Sequence, residues 1–378
     1  MTILLAPNAM KAGLTAFEIT QVMQSVIDRE APDVDTIISP IADGGNGTLD
    51  CILNALGGEY KMTFVHGPLI ALPLPAQWGI VEKTNTAVIE TAEAAGLHLL
   101  PTDQYNVMQA TTYGVGELII SALSSGCTSI VLGIGGSATN DGGAGCLEAL
   151  GVKFLTKYGK PIPPGGEGLL SLDRIDTRSM DPRLRTVQCT ILTDVRNPLY
   201  GADGASYVFA PQKGATLEQT ALLDTALRHF AEIMKRDVGR DVADMPGAGA
   251  GGGIAAGLTA FCNARVVSGI EYILDVTKFD SMLRACDAVF TAEGQLDDQT
   301  GGGKGIAGVC DRARAYKKPV HAFVGRINGD PELLKHRLGL ASVTQISPPS
   351  LSTESAILHA RELLDQAVTD FLSRSLVA

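Results

Sequence analysis

The chain lacks the residue patterns from which cysteine and histidine usually build sites. Its seven cysteines are an odd number and contain no C-x-x-C pair, which speaks against both a disulfide framework and a zinc centre. They read as small buried apolar side chains in a reducing cytoplasm. The six histidines stand singly, without H-x-H or H-E-x-x-H spacing, so none is expected to ligate a metal. Positive charge is also short. Thirty Lys and Arg face 41 Asp and Glu, a net charge of −11, whereas nucleic-acid binding needs clustered cations. No stretch of about 20 apolar residues could span a membrane, and the apolar run within Met1–Met10 is too short for a signal-peptide core. A cytoplasmic protein is expected, with neither nucleic acid nor membrane as partner and with an oligomer still open.

Glycine is what the chain has in excess, 43 residues in 378, against an average usage of about 7%. The glycines cluster at junctions between apolar runs and helical patterns, so they read as tight functional turns. With 45% hydrophobic and 19% charged residues, the chain can build ample core, and its length suits two domains.

Thr128–Ile134 is a β-branched apolar run, Gly135–Gly145 a turn rich in Gly, Ser, Thr, Asn and Asp, and Cys146 onward has helical spacing. A strand, loop and helix in that order make an anion site: glycines Gly135 and Gly136 let backbone N–H groups surround a phosphate, and Ser137 and Thr139 add hydroxyls. Asp141 would repel a bare phosphate, and it makes sense beside Mg2+ or a substrate hydroxyl. The pattern D-G-G-x-G recurs at Asp43–Gly47, again between a strand and a helix. Lys11 follows the strand Thr2–Ala6 and precedes the capping box Thr15–Glu18, which puts it where open α/β sheets hold ligands. Thr111–Gly116 is a third small-polar turn before a helix, and Phe64–Val81, broken by Gly67-Pro68, Pro73 and Pro75, reads as a crossover between domains. Val187–Leu192 is a strand ending at Asp194, with Lys213 a candidate for the same site. The segment Pro246–Gly253 either approaches a ligand or lets helices pack. The densest cluster is Ala292–Lys304, with Glu293, Asp297, Asp298, Thr300, three glycines and Lys304 between a strand and a helix. Val320–Val324 reads as the final strand and Ser352–Leu372 as a closing amphipathic helix.

Two familiar phosphate motifs fail. Lys304 invites a P-loop reading, but Gly305 stands where the Mg2+-binding hydroxyl belongs and Asp298 where the first glycine belongs. Gly133–Ala138 fits G-x-G-x-x-A, but the next strand ends at Lys157 and not at the acid a dinucleotide site requires.

Together these turns resemble the bacterial glycerate kinase family, of the glycerate 2-kinase type. The matching stretches are Ala42–Thr48, Gly133–Gly145, Thr193–Leu199, Ala210–Thr216, Pro246–Leu258, Ser268–Glu271 and Ala292–Lys304, in the family's order and across nearly the whole chain. The resemblance implies an α/β protein of two α/β domains. One is flavodoxin-like, with a parallel sheet built from both chain ends, residues 1–66 and 285–378. The other, residues 67–284, is an inserted mixed α/β domain of restriction-enzyme-like type. It also implies an ATP- and Mg2+-dependent kinase that phosphorylates glycerate at O2 to 2-phosphoglycerate. On that basis Lys11, Asp194, Glu293 and Asp297 are the catalytic candidates, the last three also as Mg2+ ligands. Asp43, Gly44, Gly45, Gly135, Gly136, Ser137, Thr139, Asn140, Asp141, Lys213, Gln295, Thr300 and Lys304 are the candidates for binding substrate and nucleotide. The chain departs from the family pattern in three places. Asn8, Ala9 and Met10 replace Asp, Ser and Phe ahead of Lys11, Asn46 replaces Glu, and Gln295 replaces an Arg. The last removes a guanidinium able to grip a carboxylate or phosphate at two points. These changes keep open a kinase for another short hydroxy acid, and a non-catalytic relative that only binds anion or nucleotide.

Overall fold

Thr2–Leu5 is an unbroken apolar run, and such a run is stable as a strand only when both its faces are covered. The computed structural model, which describes residues 1–10, 13–69, 73–297 and 305–375, places it as β1 in the middle of a sheet. The strands that follow are β2 (Asp35–Ile38), β3 (Glu59–His66), β4 (Pro73–Val81), β5 (Thr86–Glu90) and β6 (Ser129–Gly133). Then come β7 (Lys153–Leu155), β8 (Arg174–Asp176), β9 (Gln188–Leu192) and β10 (Arg265–Val267). The last are β11 (Ala288–Leu296), β12 (Val320–Ile327) and β13 (Ser342–Gln345).

The chain divides into two units. The first comprises Met1–Asp43, Asp50–Ala55 and Ile270–Ala378. Its sheet has the order β13-β12-β11-β1-β2, and every neighbouring pair is parallel. Numbered within this unit alone, the order is 2-1-3-4-5 from the β2 edge, the flavodoxin-like arrangement, in which ligands sit at the ends of the strands where the order reverses. Here that point lies between β1 and β11. One face of the sheet offers Ile3, Leu5, Phe290 and Phe323 to Ile19, Met23 and Val26 of the helix Ala16–Glu30 and to Leu364, Val368 and Leu372 of the helix Ala360–Ser375. The capping box is formed as expected: Glu18 N donates to Thr15 Oγ1 at 3.2 Å and Thr15 N to Glu18 Oε2 at 2.8 Å. The closing segment is two helices, since Thr353–Leu358 ends before Ala360.

The second unit comprises Gly44–Leu49 and Leu56–Gly269. Its sheet has the order β10-β9-β6-β5-β4-β3, parallel from β10 to β5 and antiparallel from β5 to β3, so it is mixed. The proline-broken stretch read as a crossover forms the hairpin β3–β4. Pro73 and Pro75 are tolerated because β5 pairs only with Trp78–Val81, leaving their other side without a ladder to interrupt. A strand beyond Val320–Val324 also appears, β13, too short and too polar to announce itself. All seven cysteines are buried. No helix among the described residues is long and apolar enough to cross a membrane.

Candidate active site

In the second unit, two of the glycine turns interlock. Gly135 N donates to Gly44 O at 2.9 Å, and a Cβ on Gly135 would stand 2.6 Å from Gly45 Cα. Gly44, at φ 91°, has room for no side chain because Leu192 O would lie 2.3 Å away. Only glycine allows backbones to approach this closely. Thr48 closes the first turn with its hydroxyl on Gly45 O at 2.6 Å, and Glu90, buried at the end of β5, accepts from Leu49 N at 2.8 Å.

The longer turn, Ile134–Gly145, is braced from three directions. Asp141 is wholly buried and accepts four hydrogen bonds: Thr112 N at 2.8 Å, Thr112 Oγ1 at 2.9 Å, Gly143 N at 3.0 Å and Gly145 N at 3.2 Å. Burial raises its pKa, with those four donors opposing. The carboxylate that the sequence suggested for substrate or metal-bound water is thus held by two donors of its own loop and two of Thr112. Thr112 Oγ1 also accepts from Cys146 N at 2.9 Å, tying the loop to the helix Ala144–Ala149. Behind the loop, the glycines of the Pro246–Leu258 segment serve packing. Gly142 N donates to Gly252 O at 2.9 Å, and a Cβ on Gly252 would meet Thr139 O at 2.0 Å and one on Gly257 would meet Gly142 O at 2.4 Å.

The third brace is a charge. Lys213 is only 4% exposed, and its Nζ donates to Thr139 O at 2.7 Å and to Ser137 Oγ at 3.2 Å. Loss of hydration pushes its pKa down to about 8, with the Asp141 carboxylate working the other way. The ammonium therefore lies under the loop and in contact with two of its residues. Asn140 Nδ2 donates to Ser206 Oγ at 2.9 Å. Thr139 Oγ1 and Asn140 Oδ1 are buried with no hydrogen-bond partner among the described residues, as are several hydroxyls elsewhere in the chain. Gly214, the next residue, borders an open surface depression lined also by Tyr105, Asn106 and Gln219. Asp194, half-buried two residues past β9, accepts from Ser268 Oγ at 2.6 Å.

In the first unit one candidate, Glu293, stands at the strand-order reversal. Asn8 N donates to Ala292 O at 2.9 Å, continuing the β1–β11 pairing to the level of Glu293. A Cβ on Gly305, which heads the helix Ile306–Ala315, would lie 2.9 Å from Asn8 Nδ2 and 3.4 Å from both Glu293 carboxylate oxygens. Two turns and one glutamate thus converge on one strand end. Gln295 is exposed, and its Nε2 donates to Asp297 Oδ2 at 2.8 Å. Asp43 is half-buried at the end of its segment. Lys11, Thr300 and Lys304 lie outside the described residues, as does Asp298. Among the described residues no three His, Cys, Asp or Glu side chains form a group able to hold a metal ion.

Sequence reasoning missed Thr112, Glu90 and Ser206 as parts of the site. Thr112 stood inside a turn already noted as small and polar, whereas Ser206 carried no local signal.

The comparisons agree with this architecture. The family model described as glycerate kinase family matches residues 3–375. The chain is 42% identical to a glycerate kinase of Halalkalibacterium halodurans, covering 97% of this chain and 96% of that protein. It is 41% identical to the glycerate 2-kinase of Escherichia coli K12, covering 92% and 90%. A crystal structure from Salmonella typhimurium LT2, provisionally named glycerate kinase 2, superposes with a TM-score of 0.82 at 38% identity, over 100% of this chain and 98% of that one. With both units matched from end to end, and the glycine turns folded where the motifs stand, the chain belongs to the glycerate kinase family.

Proposed function

We propose that this protein transfers the γ-phosphoryl group of ATP to O2 of glycerate, yielding 2-phosphoglycerate and ADP. The observation that carries the reading is the Ile134–Gly145 loop, a glycine turn with a buried ammonium in contact with its backbone. In phosphoryl transfer, positioning and charge neutralisation supply most of the catalysis, and a loop braced by its own hydrogen bonds over a buried cation is suited to both.

The acceptor hydroxyl loses its proton to a carboxylate of the set Asp194, Glu293 and Asp297 as its oxygen bonds to the γ-phosphorus, and the bridging oxygen leaves with ADP. Lys11 and Lys304 are the cations for phosphate oxygens or the substrate carboxylate. Asp43, Gly44, Gly45, Gly135, Gly136, Ser137, Thr139 and Asn140 line the turns that orient the anion, with Lys213 and Asp141 holding the longer turn from within. The same three carboxylates are hard oxygen donors of the kind Mg2+ takes, one or two being enough when phosphates and water complete its shell. When bound, the ion neutralises charge on the phosphate chain.

A second reading, a kinase for a different short hydroxy acid, is favoured by Gln295, whose amide is engaged by Asp297 where the family has an arginine. ATP consumption with Mg2+ across a panel of short hydroxy acids, D-glycerate included, separates the two, with phosphorus NMR locating the phosphate. Turnover on D-glycerate with phosphate at O2 is expected. Turnover only on another acid would establish the second reading, and nucleotide binding without any turnover would overturn both.

A further inference from the structure

The β3–β4 hairpin carries an exposed apolar row. Along β3 the side chains of Tyr60, Met62 and Phe64 fall on one face and are 45%, 59% and 71% exposed, while Val65 on the other face is buried in the core. Taking about 200 Å² for each whole side chain, the row exposes on the order of 300 Å² of side-chain surface, the scale at which a patch on a single chain is often functional. β3 is also the last strand of its sheet. Gln77 N donates to Glu93 Oε2 at 2.9 Å, away from β3, so Gln77 and its register partner Met62 are a non-hydrogen-bonded pair of the antiparallel ladder. The Met62 N–H and C=O therefore face the open edge, and by alternation so do those of Phe64. At the far end of the strand the edge closes, where His66 N donates to Glu117 Oε2 at 2.7 Å.

We propose that this edge is where two copies of the chain associate, β3 pairing antiparallel with β3 of a second copy about a two-fold axis at Met62. An edge strand is a template for another strand, and a two-fold axis brings each strand against its own image. In this register Met62 faces Met62 of the second copy and Tyr60 faces Phe64, so both apolar rows join into one. Charge permits the approach: the chain carries −11 overall, but β3 holds one Lys and one Glu, paired with each other at 2.9 Å. The side-chain area falls short of a standard interface of about 800 Å² per partner, so association is expected to depend on concentration.

Sedimentation velocity of the full chain through a micromolar dilution series tests this, with twice the chain mass of 39.5 kDa expected at the concentrated end. Met62→Lys and Phe64→Asp should each weaken association at least tenfold with the thermal midpoint of the dilute protein unchanged, and Met62→Leu should retain it. Because the native cysteines are all buried, oxidising Met62→Cys should cross-link the dimer while Lys61→Cys should not. A chain that stays monomeric throughout, or a dimer indifferent to both charged variants, would overturn the proposal.

Discussion

Lys213 is a cation with almost no water around it, and that makes it measurable. An unfolded lysine titrates at its ordinary 10.5 and Lys213 in the folded chain at about 8. Between those values the folded chain holds fewer protons than the unfolded one. Its contribution to stability is therefore smallest below pH 8 and grows as the pH rises through that window. For a fully buried group the span is worth about 3 kcal/mol. Urea unfolding of the wild type and Lys213→Met at pH values on either side of the window should show this gain only in the wild type; equal slopes would mean the ammonium is not buried as described. If the charge orders the loop for catalysis, kcat/KM of the wild type falls as the pH passes about 8. Asp141 makes a second residue-scale prediction. Asp141→Asn keeps the shape but puts an N–H₂ where an acceptor stood, facing donors from Thr112, Gly143 and Gly145. A loss of about 2–4 kcal/mol is expected in the same unfolding measurement.

At the scale of elements, Gly252 and Gly239 separate two costs that glycine usually hides together. Their φ angles are 71° and 73°, so alanine strains the backbone alike at both. A Cβ at Gly239 meets nothing within 4 Å, whereas at Gly252 it meets Thr139 O at 2.0 Å. Gly239→Ala should cost about 1 kcal/mol and Gly252→Ala about 2–4 kcal/mol. Activity should fall only in the second, because Thr139 belongs to the loop that the helix Ile254–Cys262 supports. Equal costs in both variants would show that the loop yields freely. The glycine excess was visible in the sequence, but which glycines face open solvent and which face a carbonyl was not, because that depends on segments distant in the chain.

For the molecule as a whole, the parallel sheet of the first unit joins strands from both ends of the chain, and the helix Ala360–Ser375 seals it. Leu364 and Val368 are 0% exposed against that sheet. Leu364→Ala should cost about 2–5 kcal/mol, read as a lower thermal midpoint, even though Leu364 is remote in sequence from β1 and β11. Several features were legible without coordinates. Thr2–Leu5 is apolar without interruption, Thr15 and Glu18 stand three apart at a helix start, and Gly135 and Gly136 follow a β-branched run. Each is governed by forces between residues close in the chain, namely burial periodicity, end capping and backbone sterics. The hairpin β3–β4 was not legible because its prolines are excused by a neighbour, β5, that stops short of them. The motifs in their order also carried the family. The tertiary structure alone decided what the charged groups do. Asp141 meets Thr112 across 29 residues and Lys213 meets Thr139 across 74, so spacing along the chain says nothing about either contact. Desolvation and the direction of a hydrogen bond depend on what lies nearby in space, and only folding brought the Asp141 carboxylate under the donors of Thr112, Gly143 and Gly145.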